Sequence, residues 1–232
     1  MGSRGPAPEA SIFGRGAAGH AKLPSGSAPV KHFSMIRGFH LADLFTLANA
    51  ACGMASIFAA LFFVAHGQRS DFLLAAALLP LALVFDVFDG KVARWRRRHS
   101  PLGRDLDSLS DLISFGVAPA VLAFAAGMQG LWDRAILIYF VVCGVSRLAR
   151  FNVTADTLSE GGNKVRYFEG TPIPSSVALV LVLAAAGWSG RIGERLWLGE
   201  IQLGPGTFHP LVLLFAVSGS LMISKTLRIP KL

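Results

Sequence analysis

Between positions 86 and 111 the chain carries Asp86, Asp89, Gly90, Ala93, Arg94, Gly103, Asp107 and Asp111, in a stretch flanked by long apolar runs. A carboxylate at the centre of a bilayer costs roughly 3 kcal/mol on insertion scales. Four acids in one such stretch therefore call for compensating cations. Asp86 and Asp89 are three apart, about 60° around a helix, and Asp107 and Asp111 are four apart, about 40° around, so each pair shares a face. A tight turn at Pro101 and Gly103 would make the two helices antiparallel neighbours. Their oxygen-rich faces then suit hard divalent ions, Mg²⁺ or Mn²⁺, with two ions expected. Gly90 lies four residues after Asp86 and Ala93 four after Asp89, so small side chains clear the same face for a bulky ligand. Asp105 sits about 160° from Asp107 and reads as a surface carboxylate. Ordinary helix-end ion pairing would need neither the small residues nor a shared face on both helices.

The elements that must position these residues are membrane helices. With 53% hydrophobic and only 16% charged residues in 232, the chain reads as an all-α polytopic membrane protein. Six transmembrane helices are expected, beginning near Leu41, Asp71, Leu106, Leu131, Ile173 and Phe208; each run approaches the roughly 20 residues that a span needs. The net charge of +8 could point to nucleic acid, but the basic residues sort by loop. With the N-terminus in the cytoplasm, only Arg69, Arg134, Arg191 and Arg195 face outside. Positive-inside bias thus puts both termini in the cytoplasm and makes the lipid bilayer, with no nucleic acid, the partner. Cys52 and Cys143 fall in apolar spans and read as small buried hydrophobes.

Residues 1–34, rich in Gly, Ala, Ser and Pro, read as a disordered cytoplasmic tail without a secretory signal, ahead of one six-helix domain over 35–232. Met35 to Phe39 reads as an interfacial segment. The first span carries Asp43, Thr46 and Asn49 on one face. The outer loop from Gly190 to Gly206 shows no constellation.

The spaced residues resemble the signature of the CDP-alcohol phosphotransferases, D-x2-D-G-x2-A-R-x8-G-x3-D-x3-D, which the chain matches at each fixed position without insertion. The resemblance implies the fold of that family: six transmembrane helices, a homodimer, and a cytoplasm-facing site where CMP leaves a CDP-linked lipid as an alcohol takes its place. By position, Asp86, Asp89 and Asp107 would ligate the metals, with Asp111 a further metal contact or the general base, and Arg94 would face the diphosphate. Gly90, Ala93 and Gly103 would adjoin the CDP-lipid. Thr46 and Asn49 are candidates for the cytidine pocket, although a polar pair that only packs helices reads as well. A hydroxyl nucleophile needs a carboxylate within hydrogen-bond reach, and Asp111 stands last on the shared face.

Arg147 and Arg150 lie three apart beside Phe151 and Asn152, and a guanidinium fork suits a carboxylate; positive-inside anchoring is the alternative. Glu169, in Tyr167-Phe-Glu-Gly170, could meet an ammonium group, although a loop before a helix explains this segment equally well. Together with His40-Leu-Ala-Asp-Leu-Phe-Thr46, Leu109-Ser-Asp-Leu-Ile-Ser-Phe-Gly-Val-Ala-Pro119 and Met222-Ile-Ser-Lys225, these segments resemble the integral-membrane phosphatidylserine synthases of fungal and bacterial type. That resemblance implies CDP-diacylglycerol and L-serine as substrates, with serine recognised around Arg147, Arg150 and Phe151. It also implies a bacterial inner membrane or endoplasmic reticulum location. Thr171 departs from it, since relatives usually carry leucine there. Sibling enzymes that use glycerol phosphate, inositol phosphate or choline share the signature. A transporter would show internal repeats and midplane acids, and neither is seen.

Overall fold

The computed structural model describes residues 41–96, 101–159, 167–224 and 228–230. The expected tail over 1–34 and the interfacial segment Met35 to Phe39 lie outside the described residues. The chain runs α1 (Leu41–His66), α2 (Arg69–Arg96) and α3 (Pro101–Asp111), then a π-helical turn (Leu112–Val117) and α4 (Ala118–Ala125). It continues through α5 (Leu131–Ser159), β1 (Tyr167–Glu169), a 3₁₀ turn (Ile173–Ser176) and α6 (Val177–Trp188). The last elements are β2 (Ile201–Leu203), β3 (Gly206–Phe208), α7 (Leu213–Ile223) and β4 (Arg228–Pro230).

Among the described residues, four helical stretches are long and apolar enough to cross a membrane: Asp43–His66, Arg69–Val92, Gly103–Ala125 and Leu131–Val153. The remaining apolar helices, Ile173–Trp188 and Pro210–Ile223, begin close to the expected fifth and sixth spans but are shorter. Helices are the natural choice, because in lipid every backbone amide must find its partner within its own segment. Their outward faces carry exposed Phe58, Leu61, Phe62, Leu74, Ile138 and Val217, as suits hydrocarbon contact.

α1 packs along α2, α2 also meets α6, and α5 meets α7. Ala75, Ala76 and Ala82 are buried along α2, and small side chains there let backbones approach closely. Ser56 Oγ on α1 donates to the Ala75 carbonyl at 2.7 Å. Larger side chains complete the core: Phe63 meets Phe72 edge-on at 5.2 Å, and Phe140 meets Phe215 at 5.3 Å and 85°.

The π-helical turn directly follows Asp111. Two hydroxyls fasten it: Ser114 Oγ donates to the Asn49 carbonyl of α1 at 2.9 Å, and Ser176 Oγ donates to the Phe115 carbonyl at 2.7 Å. A wide turn of this kind leaves backbone groups off the regular ladder, and neighbouring side chains can take them up.

The stretch from Gly190 to Gly206, which read as featureless, enters a hairpin in which Ile201 pairs with Phe208 and Leu203 with Gly206. Trp132 Nε1 donates to the Leu203 carbonyl at 2.8 Å. Buried Asp133 accepts from Gly130 N at 3.0 Å and from His209 N at 2.8 Å, and its Oδ2 stands 2.6 Å from His209 Nδ1. This joint fixes the start of α5 to the start of α7. At the other end β1 pairs antiparallel with β4, Phe168 opposite Ile229, so the Tyr167-Phe-Glu segment is strand rather than plain linker.

Gly53 tests how closely α1 must approach the π turn. A Cβ there would stand 2.8 Å from Ser114 Cα, a backbone atom. Gly53→Ala is expected to destabilise the protein by about 1–3 kcal/mol through overpacking. Thermal unfolding in detergent measures this, and an unchanged melting temperature would mean that the contact is slack.

Candidate active site

α2 contributes Asp86 and Asp89, and α3 contributes Asp107 and Asp111. One carboxylate oxygen from each of Asp86, Asp89 and Asp107 lies within 4.8 Å of the others. The two predicted helix faces therefore converge. Asp89 and Asp111 are buried, while Asp86 and Asp107 are half-buried.

α1 supplies the neutral donors. Thr46 Oγ1 donates to Asp89 Oδ2 at 2.8 Å, and Asn49 Nδ2 donates to Asp111 Oδ1 at 3.2 Å. Thr46 and Asn49, candidates for the cytidine pocket, thus direct these donors at the carboxylates, and with Asp43 all three are buried on one face. Asp86 is within hydrogen-bonding reach of Asp111.

Among the described residues, no Lys or Arg forms an ion pair with Asp86, Asp89, Asp107 or Asp111. Asp107 Oδ1 and Asn49 Oδ1 are buried without a hydrogen-bond partner. An unpartnered buried acceptor costs about 1–3 kcal/mol, and more when charged. Clustered hard oxygen donors with an unused lone pair fit Mg²⁺ or Mn²⁺.

A Cβ added to Gly90 would meet nothing within 4 Å. Gly103 is half-buried near the start of α3. Ala93 and Arg94 lie near the end of α2, and Glu169 in β1; their side chains lie outside the described part of the structure.

Arg147 is half-buried on α5, with its Nε buried and unpartnered. It is close enough to Asp111 and Arg150 for their charges to interact. Arg150 differs, since its Nη2 donates to the Ile223 carbonyl of α7 at 3.4 Å. Phe151 is exposed at the same helix end.

Several site-forming residues escaped the sequence reading. Ser108 Oγ donates to Asn152 Oδ1 at 3.0 Å, and Asn152 Nδ2 donates to Asp105 Oδ1 at 3.4 Å, tying α3 to α5. Asp105 is exposed, as expected. Ser114 anchors the backbone of Asn49. Ser108 and Ser114 flank the aspartates in sequence, but only the tertiary fold reveals their partners.

Comparison with known proteins places this geometry in context. Residues 39–206 match the family model of the CDP-alcohol phosphatidyltransferases. A Saccharomyces cerevisiae protein named CDP-diacylglycerol–serine O-phosphatidyltransferase is 46% identical over 205 residues, covering 86% of this chain and 74% of the relative. A Helicobacter pylori protein of the same name is 37% identical over 142 residues, covering 60% of this chain and 55% of its own length. An archaetidylserine synthase of Methanothermobacter thermautotrophicus is 39% identical over 145 residues, again covering 60% of this chain and 55% of its own length. The family match spans α1 to the β2–β3 hairpin and includes every aspartate of the site, so the chain belongs to the CDP-alcohol phosphatidyltransferase family.

Proposed function

We propose that the protein transfers the phosphatidyl group of CDP-diacylglycerol to the hydroxyl of L-serine, giving phosphatidylserine and CMP. The observation that carries the choice of acceptor is Arg147, a guanidinium whose buried Nε has no partner while its charge reaches Asp111. Such a group is poised for an acceptor that carries an anion, a carboxylate or a phosphate, which choline lacks. Among anionic acceptors the names of the yeast and Helicobacter relatives support serine.

In this reading Asp86, Asp89 and Asp107 hold the divalent ions, two in number. When bound, these ions supply positive charge where the diphosphate develops negative charge. Asp111 lies outside the group of three carboxylates and is oriented by Asn49, which favours the role of base over that of metal contact. It takes the serine hydroxyl proton as the serine oxygen forms its bond to the lipid-bearing phosphorus. The bond from that phosphorus to the bridging oxygen breaks, and CMP leaves with the electron pair. Arg94 faces the diphosphate, Gly90, Ala93 and Gly103 give the nucleotide room, and Phe151 and Glu169 border the serine.

The same reading keeps six spans, with Ile173–Trp188 and Pro210–Ile223 as the short last pair, in a domain over 35–232 preceded by the 1–34 tail. Both termini and the active site face the cytoplasm, because the basic residues around the site ends of α2 and α5 obey the positive-inside rule. The enzyme works as a homodimer in a bacterial inner membrane or the endoplasmic reticulum.

CMP release from CDP-diacylglycerol, with and without L-serine, tests the proposal. Release is expected to depend on serine and to stop on chelation of divalent metal. Release with another alcohol but not with serine would overturn the acceptor assignment. Asp111→Asn is expected to lose at least about 100-fold in turnover, the usual contribution of a positioned base, while still binding CDP-lipid. An active variant would remove Asp111 from that role. Arg147→Ala is expected to raise the KM for serine more than Arg150→Ala does, because the Arg150 guanidinium is already engaged by a backbone carbonyl; the reverse order would exchange the two assignments.

A further inference from the structure

At the end of the bundle away from the aspartates, residues 188–208 are sewn onto the helix ends. From Arg69 to Asp86 α2 rises about 25 Å, close to the roughly 30 Å of hydrocarbon in a bilayer. The start of α2 and the carboxylates therefore lie near opposite membrane faces. Arg69 Nη2 donates to the Trp188 carbonyl. Gly193 N donates to the Ala126 carbonyl, just past α4, at 2.8 Å. Trp132, in the first turn of α5, holds the Leu203 carbonyl through its indole nitrogen. A Cβ on Gly206 would stand 2.7 Å from Leu131 Cβ, so β3 lies against the start of α5. β2 is the outer strand, and all three of its residues are exposed.

What this segment turns outward is apolar. Trp188 is 74% exposed, Leu198 72%, Leu203 53% and Ile201 49%. Leu198 also has φ +70°, in the left-handed region that branched side chains rarely adopt. Glycine would serve that turn with less strain, so a leucine turned outward there is best accounted for by apolar surroundings. Trp188 lies seven residues after exposed Leu181 on the same face of α6, which makes the patch continuous with the hydrocarbon-facing side of that helix. Charge supplies no net attraction, because Arg191 and Arg195 are matched by Glu194 and Glu200.

We propose that residues 188–203 form a second membrane-binding surface: Trp188, Leu198, Ile201 and Leu203 insert into the lipid interface at the bundle end opposite the aspartates. The partner is the bilayer itself, engaged through apolar side chains and an indole ring, which favours the headgroup boundary. The loop thus lies on the membrane instead of projecting into water, and it ties the starts of α2 and α5 to that surface.

Spin labels on Leu198→Cys and Ile201→Cys, in the full-length protein with Cys52→Ala and Cys143→Ala, test this in phosphatidylcholine vesicles. A label on Glu194→Cys serves as the aqueous reference. Labels at 198 and 201 are expected to collide more with dissolved oxygen than with a water-soluble nickel chelate, and the label at 194 to show the reverse. Because the segment is neutral, the depth should not change when anionic lipid or salt is added. Nickel contact at 198 and 201 matching that at 194 would overturn the proposal, as would insertion that appears only with anionic lipid. Exclusion of both reagents with dipolar broadening between labels would instead assign the surface to a second copy of the chain. Trp188→Phe, which keeps both cysteines, checks the result independently: it should remove tryptophan emission that brominated lipid quenches and aqueous iodide does not. Loss of an iodide-quenched component would contradict insertion.

Discussion

Mutual repulsion among Asp86, Asp89, Asp107 and Asp111 is the constraint around which this molecule is arranged. Three of these carboxylates crowd within 4.8 Å at one oxygen each, and no lysine or arginine among the described residues forms an ion pair with them. Like charges at such range in a poorly solvated site cannot stand alone. Thr46 and Asn49 contribute neutral donors, which orient the carboxylates but do not cancel their charge. Divalent cations bound as proposed would supply the opposing charge.

The rest of the fold holds this arrangement in place. α1 must come close enough for Thr46 and Asn49 to reach across, and Gly53 opposite Ser114 sets that distance. The π turn after Asp111 places its carbonyls and hydroxyls where α1 and the turn before α6 can bind them. At the opposite end the Asp133–His209 joint and the hairpin hold α5 to α7. α5, so anchored, delivers Arg147 to the edge of the acidic cluster.

Much of this was legible in the sequence, for a physical reason. Helical periodicity fixes which side chains share a face, so the convergence of the aspartates followed from spacings of three and four and a turn at Gly103. Hydropathy located the helices, and their starts agree closely with the expected ones. Length was less legible: the fifth and sixth apolar runs give helical stretches over Ile173–Trp188 and Pro210–Ile223, each shorter than a full span. The hairpin at Ile201–Phe208 was missed because short strands with few β-branched residues give little periodicity. Thr46 and Asn49 were placed on one shared face, but their hydrogen bonds to Asp89 and Asp111, across 43 and 62 residues, cannot be read from local pattern. The same limit hid Ser108, Ser114 and Asn152.

The central claim is that divalent cations are the missing partners of the acidic cluster. Its most direct test is calorimetric titration of Mn²⁺ into the metal-free protein, in parallel with Asp89→Asn and Asp107→Asn. The account predicts saturable binding of two ions to the unaltered protein, with affinity sharply reduced in each variant. Binding that is absent, or equal in all three proteins, would contradict it.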